Sequence, residues 1–389
     1  MCPIDSLDAI IPTVQTAFTM ATKGIVGFVG GVDVNGSLAE RVRVGQDIVW
    51  GEPVVREPGD ATPGATGPRE GSLGALAHTI KIERQRNVPI PITGDQFKAM
   101  QGNIYPFLQD AFVKAIRKLV DEMDLYVGQK VLAGSSTAVI SPNNDPFTSG
   151  PSNTQNMFDF SAMKRAFRRN GYEPSNFRLV AGPDALEVLE GANPNLFRAN
   201  EFGSDELVRW GSLTKIQGFL IGSAPSFPKR VFAEAMSYVT SGHHDAGVRE
   251  IAVTSGTGAF YAGSLVKIGN EIYGVAEELT GGSGTLKLNS PLRRNVSPGT
   301  SVSSVATEIN QTMAVAYDKA AVKVLARPPA VPDGGDSAVD TMTFQDSVSK
   351  LVIEVALYKQ YMRQAYDVRI AYGARVIDPD AVIQLLSQN

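Results

Sequence analysis

The stretch from Tyr105 to Ala133 constrains the fold more than any other part of the chain. Its apolar residues recur at steps of three and four, which is the period of an α-helix, and polar residues fall mostly on the other side. The stripe consists of Leu108, Phe112, Ala115, Ile116, Leu119, Met123, Val127 and Val131. Pro106 suits a first helical turn, and Gly134 suits a helix end. Such a helix is roughly 40 Å long, so its apolar stripe requires a large surface to pack against.

Composition places the chain among globular proteins and excludes several classes. The 389 residues suggest two or three domains, and 43% hydrophobic with 20% charged residues provides ample core. A net charge of -4 gives no signature of tight nucleic-acid binding, although it does not exclude a protein that faces nucleic acid. Cys2 is the single cysteine, which excludes a disulfide framework and favours a reducing compartment. The sequence shows no membrane span and no signal peptide, so we expect synthesis in the cytoplasm.

Residues 1–40 are apolar and rich in glycine, without a long regular period. Leu7 to Ala21 predicts a short helix interrupted by Pro12. Two interpretations stay open for this arm. It packs on the body of its own chain, or it docks on a neighbouring subunit.

The next segment predicts a projecting two-stranded arm. Residues 41–50 and 78–91 alternate in the manner of strands, and residues 52–74 between them are crowded with proline and glycine. An isolated two-stranded ribbon is marginally stable in water, so this arm is expected to find support on another chain. The charged residues near its tip are candidates for intersubunit contacts: Arg56, Glu57, Arg69 and Glu70.

Two local patterns flank the long helix. Thr93 and Gln96 form a capping box that opens a short helix. Further along, residues 160–170 predict a helix that ends at Gly171. Its basic residues are Lys164, Arg165, Arg168 and Arg169. A solvated face is the favoured interpretation of these four, and a surface turned toward packaged nucleic acid or an acidic partner is the alternative.

The remaining chain predicts an α/β lobe, an inserted β-domain and a returning set of long strands. Residues 177–182 form a short apolar strand, followed by a helix that begins at Pro183. Residues 232–305 contain short strands separated by glycines, which is typical of a small β-barrel or sandwich. Helical or mixed sequence is expected from Ile309, followed by two long strands and a final helix capped by Asp378.

The sequence offers no constellation for catalysis or metal binding. His78, His243 and His244 lack the spacing of a zinc site, and no cysteine lies near them. The glycine-rich segments at 256–258 and 281–284 lack the Lys-Ser/Thr of a phosphate loop, and no nucleophile elbow is present. We therefore predict a chain that is not an enzyme and has no cofactor or metal. An enzyme with an unrecognised site is kept as the least favoured class.

The order of these parts resembles the major capsid proteins of tailed double-stranded-DNA phages. The resemblance also rests on segments 110–134, 160–189, 202–228 and 355–380. The likeness is nearest to podovirus coat proteins that carry an inserted β-barrel domain. It implies an α+β, Hong Kong 97-like fold. The division implied is an N-terminal arm at 1–40, an E-loop at 41–92, a spine helix region at 93–134, peripheral and axial parts at 135–231, the insertion at 232–305, and returning strands at 306–389.

The resemblance also implies a function and partners. It predicts pentamers and hexamers of one chain in an icosahedral head, assembled as a procapsid in the bacterial cytoplasm and expanded around double-stranded DNA without sequence specificity. Scaffolding, portal and decoration proteins are the partners it implies, with no membrane. Residues 54–77 contain no lysine, which argues against the isopeptide crosslinks of some relatives. The alternative is an encapsulin-type nanocompartment shell that encloses cargo enzymes.

Overall fold

The computed structural model describes residues 7–22, 27–38, 40–54, 74–99, 104–141, 147, 158–175, 177–192, 215–228, 236–305, 312–346 and 349–387. The helices are α1 Ile11–Thr22, α2 Gly94–Ala99, α3 Ile104–Ala133, α4 Phe158–Arg169 and α5 Pro183–Ala192. The strands are β1 Asp33–Gly36, β2 Asp47–Val54, β3 Gly74–Lys81, β4 Arg84–Thr93, β5 Thr137–Ile140, β6 Phe177–Ala181, β7 Lys215–Ile216, β8 Phe219–Ser223, β9 Ser237–Thr240, β10 Glu250–Thr257, β11 Ala259–Phe260, β12 Leu265–Ile268, β13 Glu271–Gly274, β14 Leu279–Thr280, β15 Gly284–Lys287, β16 Ser301–Ser304, β17 Thr312–Tyr317, β18 Val322–Arg327, β19 Asp340–Gln345, β20 Val352–Gln360, β21 Arg363–Val376 and β22 Val382–Leu386. Single 3-10 turns occupy Leu7–Ile10, Val29–Gly31, Lys319–Ala321 and Pro379–Ala381.

The long helix α3 is the centre of the largest hydrophobic core. All eight residues of the predicted stripe are buried. They pack against α1, β4 and β21, which supply the large surface that the stripe requires. Phe112, for example, meets Tyr366 of β21 edge to face, with ring centroids 5.6 Å apart. The helix therefore joins the N-terminal segment to the last third of the chain.

A first sheet lies under α3 and contains the two long strands. Its order is β1-β18-β21-β20-β19, and β4 also pairs with β21, from Thr93↔Arg363 to Arg84↔Tyr372. The strands β20 and β21 are joined by a turn at Tyr361 and Met362, as the sequence predicts. Residues 78–91 form two strands where one was predicted. The chain leaves the ribbon strand β3 at Lys81 and enters this sheet as β4 at Arg84, which places Ile82, fully buried, at the crossing.

The N-terminal arm packs on its own chain. Val14, Ala17 and Phe18 of α1 are buried against α3, and β1 pairs in parallel with β18. Pro12 does not interrupt a helix, because α1 begins at Ile11 and its first turn needs no amide hydrogen at the second position. The described residues of the arm therefore pack on the body of their own chain, which is the first of the two interpretations.

A second sheet has the order β5-β22-β17-β6-β8-β7 and carries α4 and α5. The prediction of a final helix is wrong here. Asp378 does cap a 3-10 turn by accepting the Asp380 amide, but the next residues form strand β22. All five residues of β22 are buried between β5 and β17, so tertiary packing overrides the local helical pattern. The segment after Ile309, expected to be helical or mixed, contains the strands β17 and β18.

Residues 236–305 form a separate sheet with its own core, inserted between β8 and β17. The order is β13-β12-β16-β9-β10-β15, and a single bridge between Val275 and Leu288 joins its two edges. It docks on the C-terminal end of α3. The Asn289 side chain donates to the carbonyl oxygens of Ala133 and Ser135 at 3.0 and 2.9 Å, which satisfies backbone acceptors that a helix end leaves open.

The predicted α+β fold class is therefore confirmed. A two-stranded extension, a long helix, two mixed layers and an inserted β-structure follow one another in the expected order.

Candidate functional surfaces

The part of the chain that the structure describes contains no group of three or more His, Cys, Asp or Glu side chains that is placed to hold a metal ion. Within the same residues, no helix is long and apolar enough to cross a membrane. His243 lies beside Asp245 on the surface, with 3.2 Å between Nε2 and Oδ1, and His244 Nε2 accepts the Ala252 amide.

The ribbon of β2 and β3 exposes an apolar side chain on each of its two faces. The two strands pair antiparallel from Asp47↔Lys81 to Val54↔Gly74, and neither pairs with a third strand among the described residues. Ile48 and Ile80 lie opposite each other on one face and reach a small core. Further out on that face, Leu76 is 52% exposed, and Val49 on the other face is 66% exposed. The ribbon thus carries apolar side chains beyond the point where the body covers them.

Two contacts fix the base of the ribbon to the body. The Lys323 ammonium lies 4.9 Å from the centroid of the Trp50 ring and also pairs with Asp33. Arg375 donates to the Thr79 carbonyl at 2.7 Å. These contacts hold the ribbon at a defined angle to the sheet.

A buried ionic network lies just before the ribbon. Arg41 donates two hydrogen bonds to the Glu354 carboxylate, at 2.7 and 3.1 Å, and Arg369 Nε donates a third at 3.2 Å. The Glu354 side chain is fully buried. Arg369 also binds Asp336 and Tyr358. Burial alone raises the pKa of Asp336, but the hydrogen bonds from Arg369 and Tyr358 outweigh it and lower that pKa to about 2.

Asp124 holds the N-terminal segment against α3. Its carboxylate accepts the Val29 amide at 2.8 Å, and a Cβ added at Gly27 would lie 2.4 Å from one carboxylate oxygen, so only glycine fits there. Burial raises the pKa of Asp124 to about 6, against the hydrogen bonds from the Val29 and Phe28 amides. At neutral pH the chain therefore carries a buried ionised carboxylate at this contact.

A pH dependence of stability follows from Asp124. Because its folded pKa exceeds the unfolded value near 3.9, the folded state binds more protons, and the free energy of unfolding falls as pH rises from about 4 through about 6. Asp124 contributes on the order of 2–3 kcal/mol to this fall in the free energy of unfolding. We expect Asp124→Asn to reduce the difference between the unfolding free energies measured in urea at pH 4 and at pH 7.5. Asp110→Asn, on the exposed face of the same helix, is the control. An unchanged pH difference in Asp124→Asn would contradict this role.

The four basic residues predicted on one helix face all lie on α4. Lys164, Arg165, Arg168 and Arg169, together with Ser161, line an open depression of about 370 Å³. Arg168 binds Glu173 through two hydrogen bonds of 2.7 and 2.8 Å. Lys164 lies 3.6 Å from the same carboxylate. Arg165 is exposed, and no ion-pair partner for it occurs within the described residues.

Sequence reasoning missed the residues that face α4 from the inserted sheet. Glu271 of β13 lies within 4 Å of three guanidinium groups, at 3.8 Å from Arg169, 3.5 Å from Arg293 and 3.8 Å from Arg294. The Arg293-Arg294 pair was visible in the sequence, but more than 120 positions separate it from α4. Nothing local in the sequence indicates that they meet.

The candidates at the ribbon tip, Arg56, Glu57, Arg69 and Glu70, lie outside the described residues.

A second apolar feature is exposed at the turn between β20 and β21. Tyr361 is 92% exposed and Met362 71% exposed, and Met362 adopts a positive φ of 54°. The Met362 carbonyl accepts the Gly94 amide at 3.1 Å, which ties this turn to the start of α2. A tyrosine and a methionine at a tied, solvent-facing turn form an uncovered apolar tip.

No family profile and no curated protein matches the chain in sequence. Solved structures resemble it at low identity. The capsid of cyanophage P-SCSP1u is similar with a TM-score of 0.45 at 12% identity, covering 91% of this chain and 85% of that one. The capsid of Ralstonia phage GP4 is similar with a TM-score of 0.45 at 10% identity, covering 94% of this chain and 91% of that one. A virus-like particle from Pyrococcus furiosus is similar with a TM-score of 0.42 at 11% identity, covering 96% of this chain and 98% of that one. These likenesses concern the fold alone.

Proposed function

We propose that this chain is a major capsid protein that assembles as pentamers and hexamers into the icosahedral head of a tailed phage, around double-stranded DNA. The observation that carries the proposal is the β2–β3 ribbon, which pairs with no third strand among the described residues. Two strands alone are marginally stable in water, and a ribbon that exposes Val49 and Leu76 gains stability when a second copy covers it.

The uncovered turn at Tyr361 and Met362 supports the same proposal from another part of the surface. Scattered apolar residues are ordinary on a monomer. A ribbon and a turn that both expose apolar side chains are expected of a subunit with several neighbours. A specific interface buries about 1,600 Å², and a shell subunit makes several of them.

The division into arm, E-loop, spine, peripheral and axial parts, and insertion is part of the proposal. So are scaffolding, portal and decoration proteins as partners, the virion as location, assembly in the host cytoplasm, and a structural role without catalysis. An encapsulin-type shell is separated from a phage head by what the particles contain: cargo protein for the former, nuclease-protected DNA for the latter.

The ribbon can be tested by charge at its two exposed apolar positions. We expect a Val49→Lys/Leu76→Lys variant to fold normally but to give at least tenfold fewer shells, because each subunit loses on the order of 3 kcal/mol of apolar burial in the assembled state. Sedimentation velocity measures the shell fraction, and circular dichroism checks the fold. A Val49→Ile/Leu76→Met variant keeps both positions apolar and is expected to assemble. Wild-type shell yield in the lysine variant would remove the ribbon from the interface.

A further inference from the structure

The junction between α4 and the inserted sheet concentrates positive charge. Six cationic side chains gather there, and five of them lie within 4 Å of two carboxylates, those of Glu173 and Glu271. The cations are Lys164, Arg165, Arg168, Arg169, Arg293 and Arg294. The surplus of four positive charges stands in a chain whose net charge is -4. Like charges held this close repel one another unless an external anion compensates them.

The distances show which of these cations are available. Nitrogen–oxygen separations of 3.8 Å from Glu271 to Arg169 and to Arg294 are longer than hydrogen bonds, so neither guanidinium group is hydrogen-bonded to that carboxylate. The side chains of these two arginines are 50% and 71% exposed. Arg165 is exposed one helical turn before Arg169 on the same face of α4. Arg168 is less available to a ligand, because its guanidinium group donates two hydrogen bonds to Glu173.

The junction is held rigidly from beneath. Arg293 Nη2 donates to the Asn170 side chain at 3.1 Å, just after α4, while its guanidinium lies 5.4 Å from the centroid of the Tyr273 ring. Asn289 ties the same loop to the end of α3. Arg294 therefore lies in a loop that is anchored beside α4, where one ligand can bridge Arg169 and Arg294.

We propose that Arg165, Arg169 and Arg294 form a binding site for the phosphodiester backbone of nucleic acid, at the junction of α4 and the inserted sheet. This inference rests on the proposed function, because it gives the enclosed DNA a defined contact on the shell protein. Guanidinium forks bind phosphate oxygens in a bidentate manner, and such contacts carry no base preference.

Charge density favours nucleic acid over an acidic protein segment. Duplex DNA presents one negative charge per roughly 1.7 Å of its axis. An extended peptide advances about 3.3–3.6 Å per residue, so even an unbroken acidic run has about half that density. Over the roughly 11 Å of two helical turns, an acidic run offers about three negative charges and duplex DNA about six, so only the duplex can neutralise the full surplus.

The test uses the unassembled full chain and a fluorescent 20-base-pair DNA duplex, with binding measured by anisotropy over a series of salt concentrations. We expect Arg165→Gln/Arg169→Gln/Arg294→Gln to weaken binding at least tenfold at low salt. The slope of log affinity against log salt should fall by about two to three, since each phosphate contact contributes about 0.9. The matched control, Lys114→Gln/Arg117→Gln/Lys118→Gln, removes the same charge from the exposed face of α3 and should change affinity less than twofold.

Equal losses in the two triple variants would overturn the site, because net charge alone would then explain binding. A polyglutamate peptide that binds the wild-type chain as tightly as the duplex would overturn the assignment to nucleic acid in favour of an acidic protein partner. Electron microscopy of the same preparations keeps the two proposals apart. Wild-type shells that contain DNA, combined with unchanged duplex binding by the arginine variant, would reject this site and leave the capsid proposal standing.

Discussion

Replacing Glu354 with alanine is expected to cost about 3–5 kcal/mol of unfolding free energy, the largest electrostatic effect in this chain. The carboxylate is fully buried and accepts hydrogen bonds from both Arg41 and Arg369. Without it, Arg369, whose side chain is only 9% exposed, keeps Asp336 as its acidic partner, and Arg41 loses two charge-assisted hydrogen bonds. The loss also reaches the ribbon, since Arg41 lies six residues before β2.

Urea unfolding of Glu354→Ala against the wild type measures this cost. Glu122→Ala is the matched control, because Glu122 also pairs with two arginines, Arg84 and Arg86, but on a surface where its side chain is 35% exposed. Glu122→Ala should lower the free energy of unfolding by about 0–1 kcal/mol. Glu354→Gln, which preserves the side-chain shape, serves if the alanine variant does not fold, and it should still lose more than Glu122→Gln. Equal losses at positions 354 and 122 would show that burial does not strengthen the network.

Replacing Phe112 with alanine is the second large effect, with an expected loss of about 3–5 kcal/mol. The ring is fully buried at the middle of the α3 stripe and contacts Tyr366 of β21. Its removal leaves a cavity between the helix and the longest strand, which the surrounding backbone can fill only in part. The same unfolding experiment applies.

Phe107 supplies the control on the same helix. It is 48% exposed, so Phe107→Ala should change the unfolding free energy by less than about 1 kcal/mol. A loss at Phe112 no larger than at Phe107 would contradict the position of α3 at the centre of the core.

Features governed by local physics could be predicted from the sequence. The stripe of α3 has a helical period over eight turns, and the observed helix, Ile104–Ala133, differs from the prediction by one residue. The capping box is present as predicted: the Thr93 amide donates to Gln96 Oε1 at 3.0 Å, and the Gln96 amide donates to Thr93 Oγ1 at 3.3 Å. Both depend only on neighbours in the chain.

Features governed by distant partners could not be predicted. Val382–Leu386 has the composition of a short helix, and only the two strands that enclose it make it β22. Likewise, the basic face of α4 was recognisable, but Glu271 and Arg294 reach it from the inserted sheet. The polar partners of a surface are set by tertiary packing, so one helix face alone does not show how its charges are paired.

The most direct test of the central claim is electron microscopy of the purified chain, with sedimentation velocity on the same sample. The proposal predicts closed shells of uniform diameter, together with rings of five and six subunits. A chain that stays monomeric at every concentration, with neither shells nor rings, would contradict it.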